Sequence, residues 1–195
     1  MRSPLLMLLA CGLGGSLLLT GCSSPALYEN SWRTPRLQPA DFFNGVICAD
    51  GVVEDYAGDQ IRHFNALIQA SWQGDTGTLD EVFYFHDAPG QAPKRETRIW
   101  TLKKEGDVYR ARATDVPQWT TMAFAGNSLQ MQYTLEYGEP GDTISLSMDD
   151  RMVQVSDGVV VNETSMSKLG FTVGKVLLVM RKADKVNACA VAQYL

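Results

Sequence analysis

Apolar and polar residues alternate one by one along most of the chain after residue 41, a pattern typical of β-strands with one buried face. The clearest example is 129–137, where every second side chain is apolar and those between are Gln, Thr or Glu. Segments 64–72 and 144–152 alternate in the same way. The sequence also predicts strands at 45–55, 78–87, 96–104, 107–114, 119–125, 158–167 and 170–182.

Short turn sequences rich in Gly, Asn and Asp separate these segments, and none of the segments has a strong helical period. The pattern predicts an all-β fold of nine or ten antiparallel strands. We expect an up-and-down barrel, since closure removes the unpaired edges of the sheet. An open two-sheet β-sandwich is the alternative. A membrane-spanning barrel is disfavoured because it needs an apolar outer face, and these strands place polar residues outward.

The start of the chain has a different pattern. Arg2 precedes an almost wholly apolar run at 5–19, which is the layout of a secretory signal peptide and is too short to span a membrane stably. The run ends in Leu19-Thr20-Gly21-Cys22, which resembles the bacterial lipobox. The sequence therefore predicts a signal peptide at 1–21, cleavage before Cys22, and a lipid on the Cys22 thiol that anchors the protein to a membrane.

Ser23 follows the cysteine at the position where an aspartate retains lipoproteins in the inner membrane. By resemblance to that sorting rule, we expect the outer membrane, with the protein facing the periplasm. Residues 22–40 hold three prolines without a regular pattern and are predicted to be a lipidated tether. The barrel domain is predicted at 41–185, followed by a C-terminal tail at 186–195.

Composition excludes some partners. The 195 residues carry 22 acidic and 17 basic side chains, for a net charge of −5, which argues against binding to nucleic acid. The length suits one domain with a substantial core. No second apolar run approaches the length of a membrane span.

The four cysteines divide by compartment. Cys11 leaves with the signal peptide and Cys22 is lipidated, so Cys48 and Cys189 remain in an oxidising environment and are predicted to form a disulfide. Such a bond would pin the C-terminal tail to the first strand. Two separate buried thiols are the alternative.

Charged residues on otherwise apolar strand faces indicate a binding site. Arg98, Glu81 and Asp150 each share a face with apolar neighbours, and an unpaired charge inside a barrel is costly. One interpretation is that these three hold the polar group of an apolar ligand, with Trp100 and Tyr133 lining the wall. A structural ion pair, or charges in water at the barrel mouth, is the alternative.

The sequence contains no catalytic motif, and no metal site or cofactor is predicted. His63 is predicted on the polar face of its strand and His86 in a loop, a spacing that does not suit a pair of metal ligands. The absence of a nucleophile motif predicts a protein that is not an enzyme.

Five stretches carry a resemblance to a family of bacterial lipoproteins known as domain of unknown function 3833. They are Asp41-Phe42-Phe43-Asn44-Gly45, 71–81, Arg98-Ile99-Trp100, Gly126-Asn127-Ser128-Leu129, and 162–176. The resemblance covers nearly all of the domain and implies no activity, since none is assigned to the family.

A looser likeness is to lipocalins, whose first strand carries a tryptophan near the barrel base under an arginine from the last strand. Phe43, Gly45 and Arg181 stand at comparable places, while Ile47 replaces the tryptophan.

These observations predict a non-enzymatic lipoprotein that binds a lipid or another small apolar molecule inside a barrel. A structural or partner-docking envelope protein with a filled core is the second hypothesis. An enzyme acting on fatty-acid-like substrates is the third.

Overall fold

The computed structural model of the protein describes residues 27–139 and 141–195. The predicted signal peptide and Cys22 lie outside these residues. Most of the described chain forms strands, which are β1 (Gly45–Asp55), β2 (Gln60–Gln73), β3 (Thr76–His86), β4 (Lys94–Glu105), β5 (Val108–Ala113), β6 (Val116–Ala125), β7 (Ser128–Glu139), β8 (Asp142–Ser156), β9 (Val159–Lys168) and β10 (Phe171–Ala183).

Each strand pairs with the next in antiparallel fashion, and β10 returns to pair with β1, so the sheet closes into a barrel. The closing pair is long, since its register runs from Val46 opposite Ala183 to Asp55 opposite Gly174. The predicted up-and-down barrel is confirmed, and the open sandwich is wrong. All ten predicted segments overlap observed strands.

The alternation along each strand decides which side chains enter the barrel. On β7, Leu129, Met131 and Leu135 belong to the main core, while Gln132 and Thr134 between them are exposed. Full burial of an apolar side chain contributes about 1.5–3 kcal/mol, so this inward face stabilises the closed sheet.

One end of the barrel, which we call the base, is closed by the chain leading into β1. The short helix α1 (Pro39–Phe42) lies there, and both Phe42 and Phe43 are buried. The indole Nε1 of Trp72 donates to the carbonyl oxygen of Phe43 over 2.7 Å. Gly77 faces this indole, where an added Cβ would lie 2.7 Å from the ring, so the close packing requires glycine.

The last strand places one cation at the base and another on the outer wall. The Lys182 ammonium group donates to the carbonyl oxygens of Asp41 and Asn44 over 2.9 and 2.8 Å. Arg181, which the lipocalin likeness places at the base, pairs instead with Asp50 on the outer wall. That expectation is wrong because the alternation of β10 gives the inward position to Lys182.

Residues 27–40 pack on the barrel. Leu37 is fully buried, and its N–H donates to the carbonyl oxygen of Gly126 over 2.8 Å. Gly126 has a φ of +57°, and an added Cβ would lie 1.8 Å from the carbonyl oxygen of Asn30, so only glycine allows this approach. The predicted tether at 22–40 is therefore wrong for 27–40, because the buried side chains of Leu37 and Pro39 hold a segment that lacks any periodic pattern.

The C-terminal tail lies on the outside of β1, β2 and β3. A disulfide joins Cys48 on β1 to Cys189 in the tail. Val191 is fully buried in a small cluster that includes both cysteines, and the Tyr84 hydroxyl donates to the carbonyl oxygen of Tyr194 over 2.8 Å. The tail thus builds a second, minor core outside the barrel.

Candidate functional site

The interior of the barrel contains a cavity of about 460 Å³. It extends from Phe43 near the base to the opposite end, which we call the mouth, where the exposed side chains of Ile61, Tyr137 and Ile144 line it. Sites for small molecules have volumes of roughly 300–1,000 Å³. The barrel therefore has room for a ligand.

Methionine side chains form a flexible part of the cavity lining. All six methionines of the described chain face the cavity; they are Met122, Met131, Met148, Met152, Met166 and Met180. Their unbranched side chains adapt to different shapes, and methionine-rich surfaces are typical of sites that accept varied apolar partners. The lining can therefore adjust around an apolar body without a fixed contour.

An ion pair lies within the cavity wall. The Arg98 Nε on β4 lies 2.9 Å from both carboxylate oxygens of Asp115, and its Nη2 lies 2.8 Å from one of them. Burial lowers the pKa of Arg98, but the charges of Asp115 and Glu81 raise it further, so the net pKa is above its usual value. The guanidinium is therefore charged at any physiological pH and already has a carboxylate partner.

A second buried carboxyl group has neutral partners. The Tyr133 hydroxyl donates to Asp150 Oδ2 over 3.0 Å, and the Thr164 hydroxyl donates to Oδ1. Burial raises the pKa of Asp150, against the effect of these donors. The pKa of Tyr133 is also raised well above its usual value, by burial and by the charge of Asp150, so its hydroxyl stays protonated.

Glu81 is the third buried carboxyl group, and it lines the cavity. Burial raises its pKa to about 7, while the charge of Arg98 and the indole of Trp100 lower it and the charges of Asp115 and Asp150 raise it. The Trp100 indole is a hydrogen-bond donor to this carboxyl group, and no cation of the described residues lies within ion-pair distance of it. Glu81 therefore faces the cavity without an ion-pair partner.

The five predicted ligand-binding residues all line this one cavity: Arg98, Asp150, Glu81, Trp100 and Tyr133. The rings of Trp100 and Tyr133 meet edge to face, with centroids 5.5 Å apart. Their role in binding stays a prediction, while their position in one site is observed.

Among the polar lining residues that the sequence reasoning missed, three lie around Arg98 and Asp150. Asp115 lies in the turn between β5 and β6, where strand alternation gives no signal. Asn162 and Thr164 share the inward face of β9 with Val160, and this interruption of an apolar face was a signal that could have identified them.

The mouth carries its own charged network. Arg62 pairs with Asp87 over 2.7 Å and with Glu96 over 3.3 Å, and its guanidinium lies 3.7 Å from the centre of the Phe85 ring. Lys168 also lines the cavity and is exposed. Among the described cavity-lining residues, the cations at the mouth are thus one paired arginine and one lysine in contact with water.

The barrel wall is lower between β4 and β7 because the β5–β6 hairpin is shorter than its neighbours. β4 pairs with β5 only over 100–105, and β6 pairs with β7 only over 122–125 and 128–131. Thr97, whose neighbours Glu96 and Arg98 point inward, nevertheless lines the cavity. A notch therefore lies above the hairpin, with the Arg98–Asp115 pair at its lower rim.

The histidines lie on the outer wall. The rings of His63 and His86 stack with centroids 4.7 Å apart. His86 is the last residue of β3 and lies within the predicted strand 78–87, so its predicted loop position is wrong. No three His, Cys, Asp or Glu side chains in 27–139 and 141–195 are grouped to hold a metal ion.

Comparisons with known proteins give a family and a fold. The model of DUF3833, described as a protein of unknown function, matches residues 16–182. The solved structures that match include the S-type phycobiliprotein lyase CPES from Guillardia theta, with a TM-score of 0.51, 10% sequence identity, and coverage of 83% of this chain and all of the lyase. At this identity the likeness shows a shared barrel fold. No curated protein matches the chain.

No helix in the described part of the chain combines the length and apolar character that crossing a membrane requires.

Proposed function

The chain belongs to DUF3833, a family described as proteins of unknown function. Since the family supplies no activity, we propose a function from the cavity. The protein binds a small amphipathic molecule, such as a single-chain lipid, inside its barrel. It does so as a lipoprotein held at the outer membrane through Cys22 and facing the periplasm.

One observation carries the binding proposal: an apolar, methionine-rich cavity of about 460 Å³ that reaches the mouth and contains a few polar groups. This combination is typical of small-molecule sites, in which apolar walls bind the body of the ligand and polar groups orient it. The alternative of a docking protein with a filled core does not account for the cavity. The fold of the phycobiliprotein lyase is compatible with a ligand-binding barrel.

Binding is favoured over catalysis by the chemistry of the lining. The described lining contains no serine, cysteine or histidine, and therefore no hydroxyl or thiol paired with an imidazole base. Arg98 is paired with the carboxylate of Asp115, and the Tyr133 hydroxyl donates to Asp150. These side chains are arranged to orient a molecule.

A bulky residue in the cavity is expected to abolish ligand binding. Met148→Trp places a bulky ring among the lining residues of β7, β8 and β9, so the affinity for the neutral apolar probe N-phenyl-1-naphthylamine should fall at least about tenfold. Fluorescence titration measures this. The control is Val161→Trp, which adds the same ring to the outer wall of β9 and should bind like the parent.

Two results would contradict the binding proposal. One is equal probe affinity in Met148→Trp and the parent, with both folded by circular dichroism. The other is no probe binding to the parent, together with native mass spectra and organic extracts of the purified protein that contain no small molecule.

The proposed anchor has its own test. Cys22→Ser should move the protein from the membrane fraction to the soluble periplasmic fraction, or leave it uncleaved, because serine cannot form the thioether to the lipid. Cell fractionation and intact-mass measurement distinguish these forms from the lipidated parent. An unchanged membrane fraction with Cys22→Ser would exclude the anchor.

The position of the anchor also orients the barrel. Cys22 precedes Leu27 by five residues, which span at most about 18 Å when fully extended. The segment that starts at Leu27 packs near Gly126 at the base. In the proposed arrangement the base faces the anchoring membrane and the mouth faces the periplasm.

A further inference from the structure

We infer that the ligand is an amphiphile with a positively charged amine, bound with its amine against Glu81 and its apolar chain along the methionine-lined wall. This inference rests on the proposed binding function and adds the chemical class of the ligand. It follows from which charged groups of the cavity already have an ion-pair partner and which do not.

The guanidinium of Arg98, which an anionic ligand would require, is already paired. Its Nε and Nη2 contact the carboxylate of Asp115 at 2.8–2.9 Å. The turn that carries Asp115 is itself held, since its carbonyl oxygen accepts the Glu136 N–H over 2.8 Å. A ligand carboxylate at Arg98 would either lie beside the carboxylate of Asp115, with like charges together, or displace Asp115 and leave it unpaired in the wall, and both are costly.

The groups that remain are acidic. Asp150 already accepts two hydrogen bonds, from Tyr133 and Thr164. Glu81 is buried, faces the cavity, interacts with the neutral Trp100 indole and has no cation within ion-pair distance among the described residues. The interior thus holds three carboxyl groups and one guanidinium, and Glu81 is a carboxyl group without an ion-pair partner. A donor with a positive charge satisfies it best.

The mouth offers little to an anion. Arg62 is held by Asp87 and Glu96. Lys168 is the remaining cation of the described lining, and its exposure means that water and salt screen its charge. An anionic amphiphile would therefore have to place its head at Lys168 and its chain inward, which is the arrangement that the test must distinguish.

The test uses three ten-carbon probes that differ only in the head group: decylamine, 1-decanol and decanoate. Each displaces N-phenyl-1-naphthylamine from the full-length protein at about pH 8, where the amine is charged and the carboxylate is ionised. We expect decylamine to bind most tightly, 1-decanol next, and decanoate at least about tenfold more weakly than decylamine.

The variant Glu81→Gln locates the amine. It should reduce decylamine affinity about tenfold or more and leave 1-decanol within about twofold of the parent. The affinity for decylamine should also depend on pH. It should be lower at about pH 5.5, where Glu81 is protonated. The charged and titratable groups around Glu81 are Arg98, Asp115, Asp150 and Tyr133. The variant should lose this dependence.

The outcomes separate the two proposals. If decanoate binds as tightly as decylamine while 1-decanol binds, the cationic class is wrong and the binding function stands. If Lys168→Gln then no longer binds decanoate, the carboxylate of this probe lies at the mouth. If Glu81→Gln leaves decylamine affinity unchanged, the amine does not sit at Glu81 and the inference fails. If none of the three probes binds, the proposed function fails as well.

Discussion

Replacing both Cys48 and Cys189 with alanine is expected to lower the free energy of unfolding by about 4–5 kcal/mol. The two cysteines are 141 residues apart, so their bond closes a loop that contains nearly the whole barrel. In the chain-entropy description, a loop of this length restricts the unfolded state by roughly that amount. Urea denaturation of the double variant and of the oxidised parent measures the difference.

The tail must be separated from the bond. Val191 is fully buried beside the disulfide, so Val191→Ala removes packing from the same small core and keeps the covalent link. We expect this variant to lose about 1–2 kcal/mol, well below the loss in the double alanine variant. Equal losses in the two proteins would show that tail packing accounts for the stabilisation. Because the tail lies outside the barrel, the folded double variant should still bind N-phenyl-1-naphthylamine.

The strands of this protein could be predicted because burial imposes a period of two that the sequence displays directly. In β7, every inward position from Leu129 to Leu135 is apolar or aromatic, so the element, its face and its neighbours follow from the pattern. The same logic identified the buried charges. Arg98, Glu81 and Asp150 interrupt apolar faces, and a face that must be inside shows each interruption clearly.

The rest of the site depends on contacts that the period does not encode. Asp115 reaches Arg98 from a turn, and its place is fixed by the short length of the β5–β6 hairpin. Leu37 attaches the segment before β1 through one side chain and one backbone hydrogen bond. Whether the inward side chains fill the barrel or leave a cavity depends on its circumference, which the register sets and the sequence does not display.

Glu81→Gln is expected to change the unfolding free energy of the ligand-free barrel in a pH-dependent way. The difference between variant and parent should be up to about 3 kcal/mol more favourable to the variant at about pH 8 than at about pH 5. The pKa of Glu81 is about 7 in the folded protein and has an ordinary value of 4.5. Between these values the folded state holds a proton that the unfolded state has released, so the stability of the parent falls as pH rises through this range. Glutamine does not ionise, so the variant lacks this loss.

The measurement is the difference in unfolding free energy between variant and parent as a function of pH, in which every other titrating group cancels. Glu105→Gln, at an exposed position at the end of β4, is the control and should show a flat difference. A flat difference for Glu81→Gln as well would mean that Glu81 is not buried as an uncompensated carboxyl group.

If the difference in unfolding free energy between variant and parent rises with pH, ligand binding should affect stability in the same pH range. Ionised Glu81 destabilises the empty barrel because burial deprives the carboxylate of water while Arg98 remains committed to Asp115. A bound amine would supply the missing charge, so a cationic amphiphile should raise the unfolding temperature of the parent more at about pH 8 than at about pH 5.5. In Glu81→Gln that dependence should disappear, since the group that the amine neutralises is gone.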